Sequence, residues 1–232
     1  MRKLSLEPPF FEIGPKNYIF GDQVLELARI ADEAAAKYDV RVIFTTPYVN
    51  IEKVASSVKH LNVFAPHMDD IPVGRGLACV LPESIKAAGA VGVMLNHCER
   101  RLPLSTLVQT IKRARGLELM TMVCADSLDE TRAVAQMRPD LMITEPADII
   151  GSGQAVDLSY VATSIEAIRA IDSDIGILVG GGISNGTDVY NMIMAGADAT
   201  GSSSGIVKAA NPGAMIHEML AALRQAWDER HK

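Results

Sequence analysis

A chain of 232 residues that is 48% hydrophobic and 22% charged can bury a large core, which excludes intrinsic disorder as its general state. Its 22 Lys and Arg against 28 Asp and Glu leave a formal net charge of −6, which weighs against nucleic acid as the main partner. A phosphorylated metabolite is still allowed, because backbone amides and one lysine can supply the local field it needs.

The three cysteines, Cys79, Cys98 and Cys124, show no metal-ligand spacing and cannot all pair within one chain. Reduced thiols in a cytoplasmic protein are the simplest reading. The start, Met1-Arg2-Lys3-Leu4, lacks the long apolar segment of a signal peptide, and no apolar run is long enough for a bilayer, so no membrane partner is expected.

No linker or low-complexity tract divides the sequence, so residues 1–232 are read as one domain. Apolar runs suited to buried strands alternate with amphipathic helical ones. Residues 10–14 predict a first strand and 23–38 a helix with an Ala/Leu/Ile stripe. A second strand is expected at 41–45 with a short helix over 51–59, and a third at 61–65 whose helix opens on Pro82, a good first-turn residue. Strand and helix pairs follow at 90–95 with 104–115, 117–124 with 128–137, 141–144 with 158–171, and 176–179 with 187–195. The eighth strand, 198–201, is short, and a long helix covers 213–229. Eight such units in this length predict a closed α/β architecture, the (β/α)8 barrel; an open doubly wound sheet usually stops at five or six strands.

In such a barrel the strand ends carry the chemistry. The run Ala90-Val91-Gly92-Val93-Met94-Leu95 stops abruptly at Asn96-His97-Cys98-Glu99. A lone histidine there is a catalytic candidate, although packed or capping histidines share the pattern. The sixth strand ends at Glu145-Pro146, and the segment to Gly151-Ser152-Gly153 has one stiff hinge and one free one, suited to covering a ligand. An isolated glutamate could equally cap a helix or pair with a lysine. Lys16 closes the first strand, where lysines are usually solvated. Gly180-Gly181-Gly182 and Gly201-Ser202-Ser203-Ser204-Gly205 follow consecutive strands, and two such loops favour a phosphate site over two plain tight turns.

Taken in order, these segments resemble the triosephosphate isomerase family, in particular its short archaeal-type branch. Asn96-His97-Cys98-Glu99-Arg100-Arg101 resembles the family's Asn-His-Ser-Glu-Arg-Arg, and Glu145-Pro146 to Ile150-Gly151-Ser152-Gly153 its Glu-Pro … Ile-Gly-Thr-Gly lid. Leu81-Pro82-Glu83, Ala88-Gly89-Ala90-Val91-Gly92 and Gly180-Gly181-Gly182-Ile183-Ser184 also keep register, and the match runs from about residue 11 to 212.

The resemblance implies a TIM barrel that interconverts glyceraldehyde 3-phosphate and dihydroxyacetone phosphate with neither metal nor organic cofactor. It implies Glu145 as base, a neutral His97 polarising the carbonyl, and Lys16 as fixed positive charge. Asn96 and Glu99 would support these from behind, and Gly151, Gly182, Ser203 and Ser204 would present amides to the phosphate. It also implies a homo-oligomer, dimer or tetramer, through the third loop.

The departures from the family are local. Gly14-Pro15 stands where the family has Asn and an apolar or aromatic residue, so a side-chain amide near the substrate oxygen is missing. Pro66-His67-Met68-Asp69 keeps the family's His-x-Asp without the usual preceding Gln. Arg75-Gly76-Leu77-Ala78 replaces a threonine-bearing turn that supports the neighbouring subunit's site. These changes leave open an isomerase of another small sugar phosphate, such as a tetrulose phosphate. A barrel that binds phosphate without turnover, and one from amino-acid or thiamine biosynthesis, are the other readings; both fit the retained Lys16, His97 and Glu145 less well.

Overall fold

The computed structural model describes residues 6–232, so the N-terminal tetrapeptide lies outside the described residues. Eight strands run parallel and close on themselves in chain order: β1 (Phe10–Ile13), β2 (Arg41–Thr45), β3 (Leu61–Ala65), β4 (Gly92–Leu95), β5 (Met120–Ala125), β6 (Leu141–Thr144), β7 (Gly176–Val179) and β8 (Ala199–Ser202). The closure is β1 against β8, in the register Phe10 to Ala199 and Ile13 to Ser202.

Successive residues of a strand point to opposite faces, and both faces here are covered. One set fills the inside of the barrel, including Phe10, Ile43, Phe64, Met94, Leu141 and Leu178. The other, including Phe11, Val42, Val63, Val93, Val123 and Ile177, packs outward against the helices. That is why the strands read as continuous apolar runs. Phe10 and Phe64 are fully buried, and each such side chain contributes about 2–3 kcal/mol relative to exposure. Gly92 makes room for Phe64: a Cβ at Gly92 would lie 2.3 Å from its ring.

The helices are α1 (Asp22–Tyr38), α2 (Ile51–Ala55), α3 (Pro82–Ala87), α4 (Leu104–Gly116), α5 (Leu128–Ala135), α6 (Leu158–Arg169), α7 (Gly186–Met194), α8 (Ser204–Val207) and α9 (Pro212–Arg230). Side chains set several of their starts. Ser127 accepts from the Glu130 N–H, Asn185 from Asp188 and Asn211 from Ala214, each satisfying a first-turn donor. No described helix is long and apolar enough to cross a membrane.

The barrel is the one expected, with four strands (41–45, 61–65, 141–144 and 176–179) at their expected bounds. Others shift. The fifth strand begins at Met120 rather than 117, because Glu118 adopts φ 55°, a left-handed turn that ends the preceding helix. The second helix stops at Ala55, short of residue 59. The last strand reaches Ser202, and the glycine–serine segment after it winds into α8 instead of remaining a loop.

Candidate active site

All eight strands point their carboxyl ends at one rim, and a cavity of about 340 Å³ opens there. Lys16, His97 and Glu145 line it together. Their backbones arrive differently. Lys16 sits at φ 49° just past β1, and Asn96 at φ 59° just past β4. Asparagine tolerates left-handed backbone, whereas at Lys16 that conformation has to be held by its surroundings.

Asn96 explains how that turn is held. It is buried and outside the cavity, with Nδ2 donating to the Cys124 carbonyl and to Glu130 Oε1, both at 3.0 Å. Its Oδ1 accepts from the Leu102 N–H at 3.0 Å. Arg101 reaches the same Glu130, so the loop after β4 is tied to β5 and α5.

His97 is then placed with one defined face. The Glu99 backbone N–H donates to Nδ1 at 3.1 Å, which makes Nδ1 an acceptor and leaves the hydrogen of a neutral ring on Nε2. Nε2 lies 3.6 Å from Glu145 Oε1 and 3.4 Å from Lys16 Nζ. Burial, and next the positive charge of Lys16, push the His97 pKa down to about 4, so the ring is neutral at physiological pH. Lys16 donates to Glu99 Oε1 at 2.9 Å. Burial opposes its charge, but the Glu99 hydrogen bond and the charges of Glu99, Glu145 and Glu12 outweigh burial and hold its pKa above the ordinary value. Burial raises the pKa of Glu145, with Lys16 opposing, so its carboxylate is a stronger base than an exposed one.

The glycine-rich turn after β7 does more than line the rim. A Cβ at Gly180 would lie 2.8 Å from Glu145 Oε2, so the missing side chain makes room for that carboxylate. A Cβ at Gly182 would meet the Gln154 carbonyl at 1.8 Å, and Gly182 itself has φ 71°. The segment after Glu145, which includes a short 3-10 turn at Ala147–Ile149, therefore packs on this turn through backbone contact. Asp188 accepts from the Ser184 N–H and hydroxyl, both at 2.9 Å, fixing the turn from behind. Gly151, Gly182, Ser203 and Ser204 all line the cavity. The Ser203 hydroxyl donates to the Gly14 carbonyl.

A triosephosphate isomerase family model matches residues 16–219. The chain belongs to the triosephosphate isomerase family. It is 32% identical over 229 residues to the triosephosphate isomerase of Sulfurisphaera tokodaii, covering 97% of this chain and all of the relative. It is 34% identical over 217 residues to that of Methanosarcina acetivorans, covering 91% and 97%. The crystal structure of the Bartonella henselae enzyme superposes with a TM-score of 0.76 at 13% identity, over 96% of this chain and all of the other, a likeness of fold.

Within a triosephosphate isomerase frame, two places stand out. The third loop is held by Asp69, which accepts from the Val80 N–H at 2.6 Å and lies 3.2 Å from His67 Nε2, while Leu77 is wholly exposed at its tip. The other is Glu12, which sequence reasoning passed over. It sits mid-strand in β1, is buried and lines the cavity. A lone acid in Phe10-Phe11-Glu12-Ile13 was the available signal, since an inward-facing charge in an apolar strand needs a reason.

Proposed function

We propose that this protein is a triose-phosphate isomerase, interconverting glyceraldehyde 3-phosphate and dihydroxyacetone phosphate through an enediolate. The observation that carries the reading is that Lys16, the Nε2 face of His97 and Glu145 line one cavity whose rim is built from glycine and serine turns.

Glu145 removes the proton from the carbon beside the carbonyl, and the electron pair moves into the new carbon–carbon double bond and onto the carbonyl oxygen. His97 donates its Nε2 hydrogen bond to that oxygen, and Lys16 offsets the charge that develops. Glu145 then returns the proton to the neighbouring carbon, while the hydroxyl proton passes from one oxygen to the other by way of His97 Nε2, so that hydroxyl and carbonyl exchange places. This division of labour is the general account of triosephosphate isomerases, not one peculiar to this chain. The amides of Gly151, Gly182, Ser203 and Ser204 hold the phosphate, and residues 146–153 cover the site so that water cannot promote phosphate loss from the enediolate. Glu99 positions Lys16, and Asn96 positions His97 through the loop. One barrel domain carries the activity; a cytoplasmic homo-oligomer is the form in which we place it.

A coupled assay with glyceraldehyde 3-phosphate tests this. Turnover supports the reading; no turnover, together with isomerisation of a four-carbon ketose phosphate, would replace the substrate while keeping the chemistry.

A further inference from the structure

Three carboxyl groups bear on this cavity where the proposed reaction uses one as base. Glu99 is bound to Lys16. Glu12 has no such partner: its Oε1 is buried and, among the described residues, lacks any hydrogen bond. The side chain occupies a notch that two glycines create. A Cβ at Gly14 would lie 2.8 Å from Glu12 Oε1, and one at Gly201 would lie 2.9 Å from Glu12 Cβ and 3.2 Å from Oε2. Glu12 in this conformation therefore fills the space that a side chain at position 14 would take, and a larger residue there would push its carboxyl aside.

We propose that Glu12 is a substrate-binding residue of this site, a neutral carboxylic acid that donates a hydrogen bond to an oxygen on the reacting carbons of the sugar phosphate. This deepens the isomerase reading and rests on it. An unpartnered buried acid is costly unless a ligand or a proton satisfies it. Burial is the largest influence on Glu12 and favours the proton, and the surrounding groups divide. Glu145, beyond β6, adds a negative charge; Lys16, beyond β1, opposes it but is bound to Glu99. From β2 the Thr45 hydroxyl favours the ionised form, although it makes no hydrogen bond of standard geometry, and from β5 the buried Cys124 thiol is held neutral. Burial dominates, raising Glu12 to a pKa of about 7. A bound phosphate and a forming enediolate add further negative charge and hold the proton on Glu12. Once ionised, Glu12 would repel both.

The test compares wild type with Glu12→Gln, which keeps size and a donor, and Glu12→Val, which keeps neither donor nor charge. At pH 6, kcat/KM for glyceraldehyde 3-phosphate should be within about threefold of wild type for Glu12→Gln and at least about tenfold lower for Glu12→Val. Above pH 7 the wild type should lose about tenfold per pH unit, and Glu12→Gln should not. Wild-type activity in Glu12→Val, or an unchanged alkaline limb in Glu12→Gln, overturns the proposal. Should Glu12→Val fail to fold, the pH profile of Glu12→Gln decides. Should the wild type turn over no triose phosphate, the isomerase reading fails separately, and calorimetry with 2-phosphoglycolate at pH 8 decides the role of Glu12. About one more proton taken up by wild type than by Glu12→Gln supports it; equal uptake rejects it.

Discussion

Glu145, the proposed base, combines a pKa raised by burial, the clearance given by Gly180 and a 3.6 Å approach to His97 Nε2. Glu145→Asp draws the base back by about one methylene, and kcat should fall on the order of a hundredfold with little change in KM. Glu145→Gln should be essentially inactive in the same steady-state assay; full activity would remove it from the base role. Glu12 carries a second consequence, for stability. In the unfolded chain it ionises near 4.5, and in the folded one it keeps its proton to about 7. Between those values the folded state binds more protons, so stability falls as pH rises, by about 3 kcal/mol in all. Urea melts of Glu12→Gln should lack that slope, and an identical slope would show the group ionising alike in both states. That Lys16, His97 and Glu145 would share one rim was legible, because each lies just past the carboxyl end of an apolar strand; the roles proposed for them came from the family resemblance. Glu12 left only the weak signal of a lone acid in an apolar strand, which reads as a solvent-facing alternate until closure of the barrel shows that side to be the interior.

Among the elements, the turn after β7 and the segment after Glu145 are sterically interlocked. Gly182→Ala cannot be absorbed by a side-chain adjustment, because the obstacle is the Gln154 backbone carbonyl and the glycine stands at positive φ. The proposed cover and the proposed phosphate turn must separate, so kcat/KM should drop by about a hundredfold while the barrel persists; unchanged kinetics would mean that the contact is irrelevant to turnover. Asn211→Ala removes the cap of α9 and should cost about 1 kcal/mol in denaturant titrations with activity unaltered. Elements bounded by turn chemistry were legible to the residue, as at 61–65 and 141–144. The helix α8 was not, for four residues are too short to show a 3.6-residue repeat. Nor did glycine spacing reveal that Gly180 clears space for a carboxylate, since neighbouring strands were expected but not the register and side-chain direction that bring Glu145 onto Gly180.

At the scale of the whole molecule, eight strands without an open edge leave no template for sheet-to-sheet growth, so association must use the helices or the loops. The third loop presents Leu77 wholly exposed and Val73 largely so. Sedimentation of the wild type should reveal a dimer or tetramer, and Leu77→Lys should shift it towards monomer; a monomeric wild type would rule out association through this loop. The same closure governs when the catalytic cavity first exists. β8 completes the barrel against β1, and the Ser203 hydroxyl reaches the Gly14 carbonyl across 189 residues of sequence. On the ribosome, Lys16 is therefore made early and waits for almost the entire polypeptide before its wall is finished. A nascent chain released before β8 emerges would leave Lys16 beside an open seam, unable to assemble the pocket.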